Sequence, residues 1–178
     1  RYHNNTNWQN KILRNSFNKN IYLKVTGGDN IATYALSMGY MKNEGVVKNT
    51  DLTRYNTRFN AEFNFSKRFK GTTNLSFTYN EQNLKNQGNT DKTAPIFLAL
   101  TKSPFLTSQE VNEKGIFSPN LEETDILGIS NPSAIIENML ATNKYYRLFG
   151  SFKFSYDIAK TLNASTMFGV VYDKVREN

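Results

Sequence analysis

The sequence predicts an all-β chain: an antiparallel meander of about six strands, interrupted by one long, partly helical loop. Three features point to it. Apolar and polar residues alternate with period two along six segments. The apolar side of every segment is free of charge, although charged residues are 21% of the chain. The connections run short, medium, short, very long, short, so the long ones gather at one end of the strands.

The first two segments are the weakest. Ile21, Leu23 and Val25 mark one strand, and Ala32, Tyr34, Leu36, Met38 and Tyr40 mark the next. Gly27-Gly28-Asp29-Asn30 is the turn between them, because Gly and Asn tolerate positive φ. A second turn, Asn43-Glu44-Gly45, leads through a short extended tail to Thr50. The clearest strand follows. Over 54–65 the odd positions are Tyr55, Thr57, Phe59, Ala61, Phe63 and Phe65, and the even positions are Arg54, Asn56, Arg58, Asn60, Glu62 and Asn64. A helix would scatter these residues around its axis. Lys67-Arg68-Phe69-Lys70 connects to the next strand, whose Thr73, Leu75, Phe77 and Tyr79 oppose Asn74, Ser76, Thr78 and Asn80.

The long insert over 81–144 contains Asn131-Pro132-Ser133, which predicts a helix with Asn131 as N-cap and Pro132 in its first turn. Ala94–Leu100 is a second short apolar run of helical character, and Pro104 and Pro119 break the stretch between the two. The strands resume at Tyr145. Tyr146, Leu148, Gly150, Phe152, Phe154 and Tyr156 share one side against Arg147, Ser151, Lys153 and Ser155, with Phe149 as an exception. After Ile158-Ala159-Lys160-Thr161, the last strand has Leu162, Ala164, Thr166, Phe168, Val170 and Tyr172 on one side.

A face without charge over six strands is buried against protein or lipid. With all short turns on one side, Tyr40, Tyr55, Tyr79, Tyr146 and Tyr172 lie at the loop-bearing end, on the apolar face. Tyrosines at one level, short turns opposite and long loops above are the marks of a membrane barrel. On that reading the polar side faces a lumen, and Arg54, Arg58, Glu62, Arg147 and Lys153 line it. Contacts inside the protein, among them pairing across neighbouring strands, are the favoured role for these five over direct substrate binding.

Composition narrows the function. The chain has 178 residues, a net charge of +7, one His and no Cys. Thiolate chemistry, disulfides and multi-His metal sites are excluded or disfavoured. No Ser/His/Asp group, P-loop or dinucleotide fingerprint occurs, so no catalytic, cofactor or metal residue is assigned and no enzyme is expected. Glu122, Glu123 and Asp125 could form half of a Ca²⁺ site, but a solvated loop is the favoured reading. No run of about 18 apolar residues predicts a transmembrane helix.

Several stretches resemble the SusC/RagA family of TonB-dependent outer-membrane transporters. They are Thr6-Asn7-Trp8-Gln9-Asn10, Lys24-Val25-Thr26-Gly27-Gly28, Tyr34-Ala35-Leu36-Ser37-Met38-Gly39-Tyr40, Asn43-Glu44-Gly45-Val46-Val47, Arg54-Tyr55-Asn56, Asn60, Asn131-Pro132-Ser133-Ala134 and Tyr146-Arg147. They run in order over nearly the whole chain and are specific jointly. The resemblance implies a stretch of a large transmembrane β-barrel in the bacterial outer membrane. It divides the chain into a surface loop at 1–19, strands at 20–80, an extracellular loop at 81–144 and a hairpin at 145–178. It also implies import of oligosaccharides or peptides, a SusD-like lipoprotein over the mouth, and TonB-ExbB-ExbD acting through a plug. Neither plug nor TonB box is found in this sequence, so an early barrel segment is expected. Outer-membrane lipid is the expected surrounding. A passive porin is the alternative that periodicity alone does not separate. A soluble β-rich binding module, such as a nucleic-acid-binding OB-fold or an adhesin, is disfavoured, and no nucleic-acid partner is expected. Stacking aromatics should share a face with Lys and Arg in such a binder, whereas here they oppose them.

Overall fold

The computed structural model describes residues 3–177; the outermost parts of the expected 1–19 loop and 145–178 hairpin lie outside them. Six long strands form one antiparallel sheet. They are β1 (Asn18–Gly28), β2 (Ala32–Glu44), β3 (Asp51–Asn64), β4 (Phe69–Asn83), β7 (Thr142–Ala159) and β8 (Leu162–Glu177). Their order in the sheet is their order in the chain. The expected meander is therefore observed, with each strand longer than its alternating stretch.

Turn chemistry fixes the hairpins. Gly28 has φ of +142°, and a Cβ there would meet the Ala32 carbonyl oxygen at 2.3 Å. The Asp29 carboxylate then accepts hydrogen bonds from the backbone N–H of Ile31 and Ala32 at 2.8 and 2.9 Å. These bonds, that of Ala32 foremost, hold the exposed Asp29 carboxyl below its ordinary pKa. Between β7 and β8 only Lys160 and Thr161 remain outside the strands.

The hydrophobic core is not in the sheet. It lies where the N-terminal segment, the β2–β3 connection and the long insert meet, and comprises Trp8, Ile12, Val47, Ala99, Leu106 and Ile136. Three short helices build it: α1 (Trp8–Ile12), α2 (Pro95–Thr101) and α3 (Pro132–Asn138), each touching the other two. The two helices read in the insert are present. The N-terminal stretch expected as a surface loop instead holds α1, capped by Asn7, whose side chain accepts from Asn10 N–H at 3.0 Å. A small hairpin, β5 (Gln109–Val111) with β6 (Phe117–Leu121), also stands where only broken loop was read. Pro119 sits inside β6. A two-stranded ribbon tolerates this because an edge position needs no N–H from every residue.

Candidate membrane face and loop module

In an antiparallel sheet, residues directly opposite each other point to the same side. The register therefore sorts every side chain. Tyr40 faces Tyr55, Tyr55 faces Tyr79, and Tyr79 faces Tyr146. Their rings touch in sequence, with centroids 5.1, 6.1 and 4.8 Å apart. Tyr172 does not extend this row. It opposes Leu148, on the same side but two residues nearer the short turns, and Lys174 faces Tyr146 instead. The register past the turn sets this: Ala159 opposes Leu162, the pairing shifts between Ala159 and Asp157, and from Asp157 opposite Asn163 onward the ladder carries Tyr172 to Leu148.

Below the tyrosines the same face carries successive charge-free rows. One is Leu23, Met38, Thr57, Phe77, Leu148 and Tyr172; the next is Val25, Leu36, Phe59, Leu75, Gly150 and Val170. The last rows, at the short turns, form a second aromatic group that the sequence reading did not single out. Phe63, Phe65, Phe69 and Phe154 stack in series with centroids 5.1–6.1 Å apart, and Tyr156 tilts against Phe69. Ten residues separate Phe69 from Tyr79 on β4. At ~3.4 Å per residue and a barrel tilt of ~40°, they span ~26 Å of depth, against an apolar band of ~25 Å in membrane barrels. No helix or second sheet covers this face among the described residues. Leu23 is 61% exposed, Phe77 43%, Phe168 62% and Val170 68%. Contiguous apolar exposure on this scale marks a lipid or protein contact.

Arg54, Arg58, Glu62, Arg147 and Lys153 all fall on the opposite face. Arg54 opposes Asn80, Arg58 opposes Ser76, and Glu62, Thr72 and Lys153 lie in one row. Arg54 Nε donates to Asn80 Oδ1 at 2.9 Å. Arg147 Nε lies 3.6 Å from Asp173, which also accepts from the Tyr145 hydroxyl at 2.9 Å. Among the described residues no ion pair reaches Arg58, Glu62 or Lys153. A mutual charge ladder thus accounts for Arg147 and not for these three.

At the tyrosine end the three helices form a module with a buried polar frame. Thr6 N–H donates to the Pro104 carbonyl at 2.7 Å, and Trp8 Nε1 donates to the Ser103 carbonyl at 2.9 Å. Asn49, at a left-handed φ of 57°, donates from its side chain to the Ile136 carbonyl at 3.0 Å. Lys102 and Asp125 form an ion pair of 2.5 Å with both side chains 1% exposed. Lys102 also donates to the carbonyls of Ile129 and Ser130, at 3.1 and 3.4 Å, and lies 5.4 Å from the Trp8 ring centre. Asp125 accepts the N–H groups of Leu127 and Ile129 at 2.9 and 3.0 Å. Burial pushes the Asp125 carboxyl up, but the Lys102 ammonium and the two N–H donors outweigh it and hold the carboxyl below its ordinary value. Asp125 is therefore a buried structural anion rather than a member of a solvated acidic cluster. Among the described residues no group of His, Cys, Asp and Glu is arranged to hold a metal.

No family model matches the chain. Two curated proteins of Formosa agariphila are similar to it, both at 26% identity: TonB-dependent receptor P3 over 93% of the chain, and TonB-dependent receptor P26 over 98%. The chain spans 16% and 17% of their lengths. Among solved structures, the RagAB peptide transporter matches 98% of the chain with a TM-score of 0.72 at 18% identity. The RagAB peptide importer in its open-open state matches 96% with a TM-score of 0.75 at 17% identity. In each the chain covers 19% of the solved chain. By name these relatives are receptors and a transporter. The chain is thus similar along nearly its whole length to one stretch of TonB-dependent receptors, and it has the fold of a stretch of SusC/RagA-type barrel wall.

Proposed function

We propose that this chain forms six strands and an extracellular module of an outer-membrane importer that moves large nutrients, such as oligosaccharides or peptides, with energy from TonB. The observation that carries the reading is the uncovered, charge-free face bounded by an aromatic row at each end. That face meets lipid, with Tyr40, Tyr55, Tyr79 and Tyr146 at the outer interface and Tyr172 just below it. The opposite face meets the lumen. There Arg58, Glu62 and Lys153 are available to a plug, and Arg54 and Arg147 are held by neighbours on the wall. The module of α1–α3 stands at the extracellular mouth, where a SusD-like lipoprotein would close over it. Its buried frame makes it a rigid docking surface rather than a mobile loop. No enzymatic role is proposed.

The test is uptake by cells carrying the barrel that contains this chain, with fluorescent peptides and oligosaccharides offered separately. One of the two classes should accumulate, and accumulation should stop when TonB is removed. Accumulation that persists without TonB identifies a passive porin instead. Removing residues 90–130 should leave the barrel in the membrane and abolish uptake; unchanged uptake would make the module dispensable.

A further inference from the structure

The row directly above the tyrosines, on the same face, is basic. Register places Lys19 opposite Lys42, Lys42 opposite Thr53, Thr53 opposite Glu81, Glu81 opposite Lys144, and Lys144 opposite Arg176. Lys174 sits one step lower, facing Tyr146. The row so contains two directly opposed like-charge pairs, Lys19 with Lys42 and Lys144 with Arg176. Such partners have Cβ atoms about 4.5–5.5 Å apart and repel each other. Little within the chain relieves them. Glu81 lies 4.0 Å from Lys144, and its carboxylate also accepts a hydrogen bond from the Tyr79 hydroxyl. Lys19 rests over the Phe17 ring at 5.5 Å. Among the described residues no carboxylate pairs with Lys42, Lys174 or Arg176. The next row up has two acids, Glu44 and Asp51, both on the β2–β3 side and away from Arg176. Asp51 accepts from Asn83 Nδ2 at 2.5 Å.

An apolar band, an aromatic row and then unneutralised cations form the sequence of environments found at a membrane surface with anionic headgroups. We infer that this outward basic row seats phosphorylated lipid headgroups of the outer leaflet. One position is formed by Lys144, Lys174 and Arg176, and a second by Lys19 and Lys42. A phosphate at each would turn a repulsive cross-strand pair into a shared clamp, with Arg176 able to bind two phosphate oxygens at once. The inference rests on the proposed lipid-facing side of the sheet.

The experiment uses the full barrel that contains this chain, in phosphatidylcholine nanodiscs doped with bis-phosphorylated lipid A. Native mass spectrometry counts the lipid A retained around the protein. Wild type should be enriched in lipid A over its share of the nanodisc lipid. The Lys144→Gln/Lys174→Gln/Arg176→Gln variant should lose enrichment by about five-fold for each cation removed, as expected for charges at a membrane surface. The Lys19→Gln/Lys42→Gln variant should lose the second position only. Equal enrichment in wild type and variants overturns the inference. So does equal retention of dephosphorylated lipid A, or displacement of lipid A by millimolar inorganic phosphate, which would leave a simple ion site. Carbonate extraction of membranes separates this failure from that of the parent reading. A barrel that stays in the pellet but ignores lipid A refutes only the headgroup seat, whereas release into the supernatant refutes the lipid-facing side and the seat with it.

Discussion

Phe59 and Tyr55 sit four residues apart on one side of β3, and the two positions should respond very differently to charge. Phe59 lies two rows inside the apolar band, near its middle, and Tyr55 lies in the tyrosine row. Arginine at Phe59 should cost about 2–4 kcal/mol, and arginine at Tyr55 only about 0–1, because the penalty falls toward the interface. Equilibrium unfolding of the barrel from lipid measures both; equal costs would contradict the depth assignment. The buried pair gives a second contrast. Asp125→Asn leaves the Lys102 ammonium buried without its partner and should cost roughly 3–5 kcal/mol. A combined Lys102→Met/Asp125→Leu change should cost less than that single one, as read by protease resistance of the module. The pH dependence follows in sign. The folded carboxyl titrates below its ordinary 3.8, so its stabilising contribution is fully present above that value. It fades as pH falls through the folded pKa. Protease resistance of the module should therefore fall in acid below about pH 4 in wild type and change less in the double variant. Neither Lys102 nor Asp125 could be paired from the sequence. They are 23 residues apart, in a stretch with no periodicity to align them.

Among the elements, the six long strands were legible because a half-exposed strand must alternate, and alternation survives without any knowledge of its neighbours. Register was less legible. The position of Tyr172 depended on the two-residue turn together with the register shift between Asp157 and Ala159, which composition does not reveal. Helix α1 was missed because five residues are too few to show a helical period. Asn7 before Trp8, with Ile12 four residues on, was the available signal. These elements are interdependent. Trp8 and Ile12 pack with Ala99, Leu106 and Ile136. Trp8→Ala should therefore loosen α2 and α3, both remote from it in the chain, by about 3–5 kcal/mol. Hydrogen exchange would register this as faster exchange across 95–101 and 132–138 with the strand amides unchanged. Protection unaltered in the insert would mean that α1 merely lies on the module.

At the scale of the whole molecule, β1 and β8 each leave one edge unpaired within the described sheet. Six strands are fewer than the smallest closed membrane barrel needs. In the proposed barrel both edges would be met by further strands, in keeping with the 19% share of the solved chain that this sheet matches. The module ties three separated stretches together at the tyrosine end of the sheet, so in the proposed barrel residues 6–14, 45–50 and 84–141 would shape the mouth jointly. Site-directed spin labelling across 54–65 of the full barrel in a bilayer tests the lipid-facing side most directly. The chain itself has no cysteine to interfere. Labels at 55, 57, 59, 61 and 63 should be accessible to oxygen, deepest near 59, and those at 54, 56, 58, 60 and 62 to a water-soluble nickel chelate. Loss of the alternation, or odd positions shielded from both reagents, would place this face against protein and contradict the barrel wall.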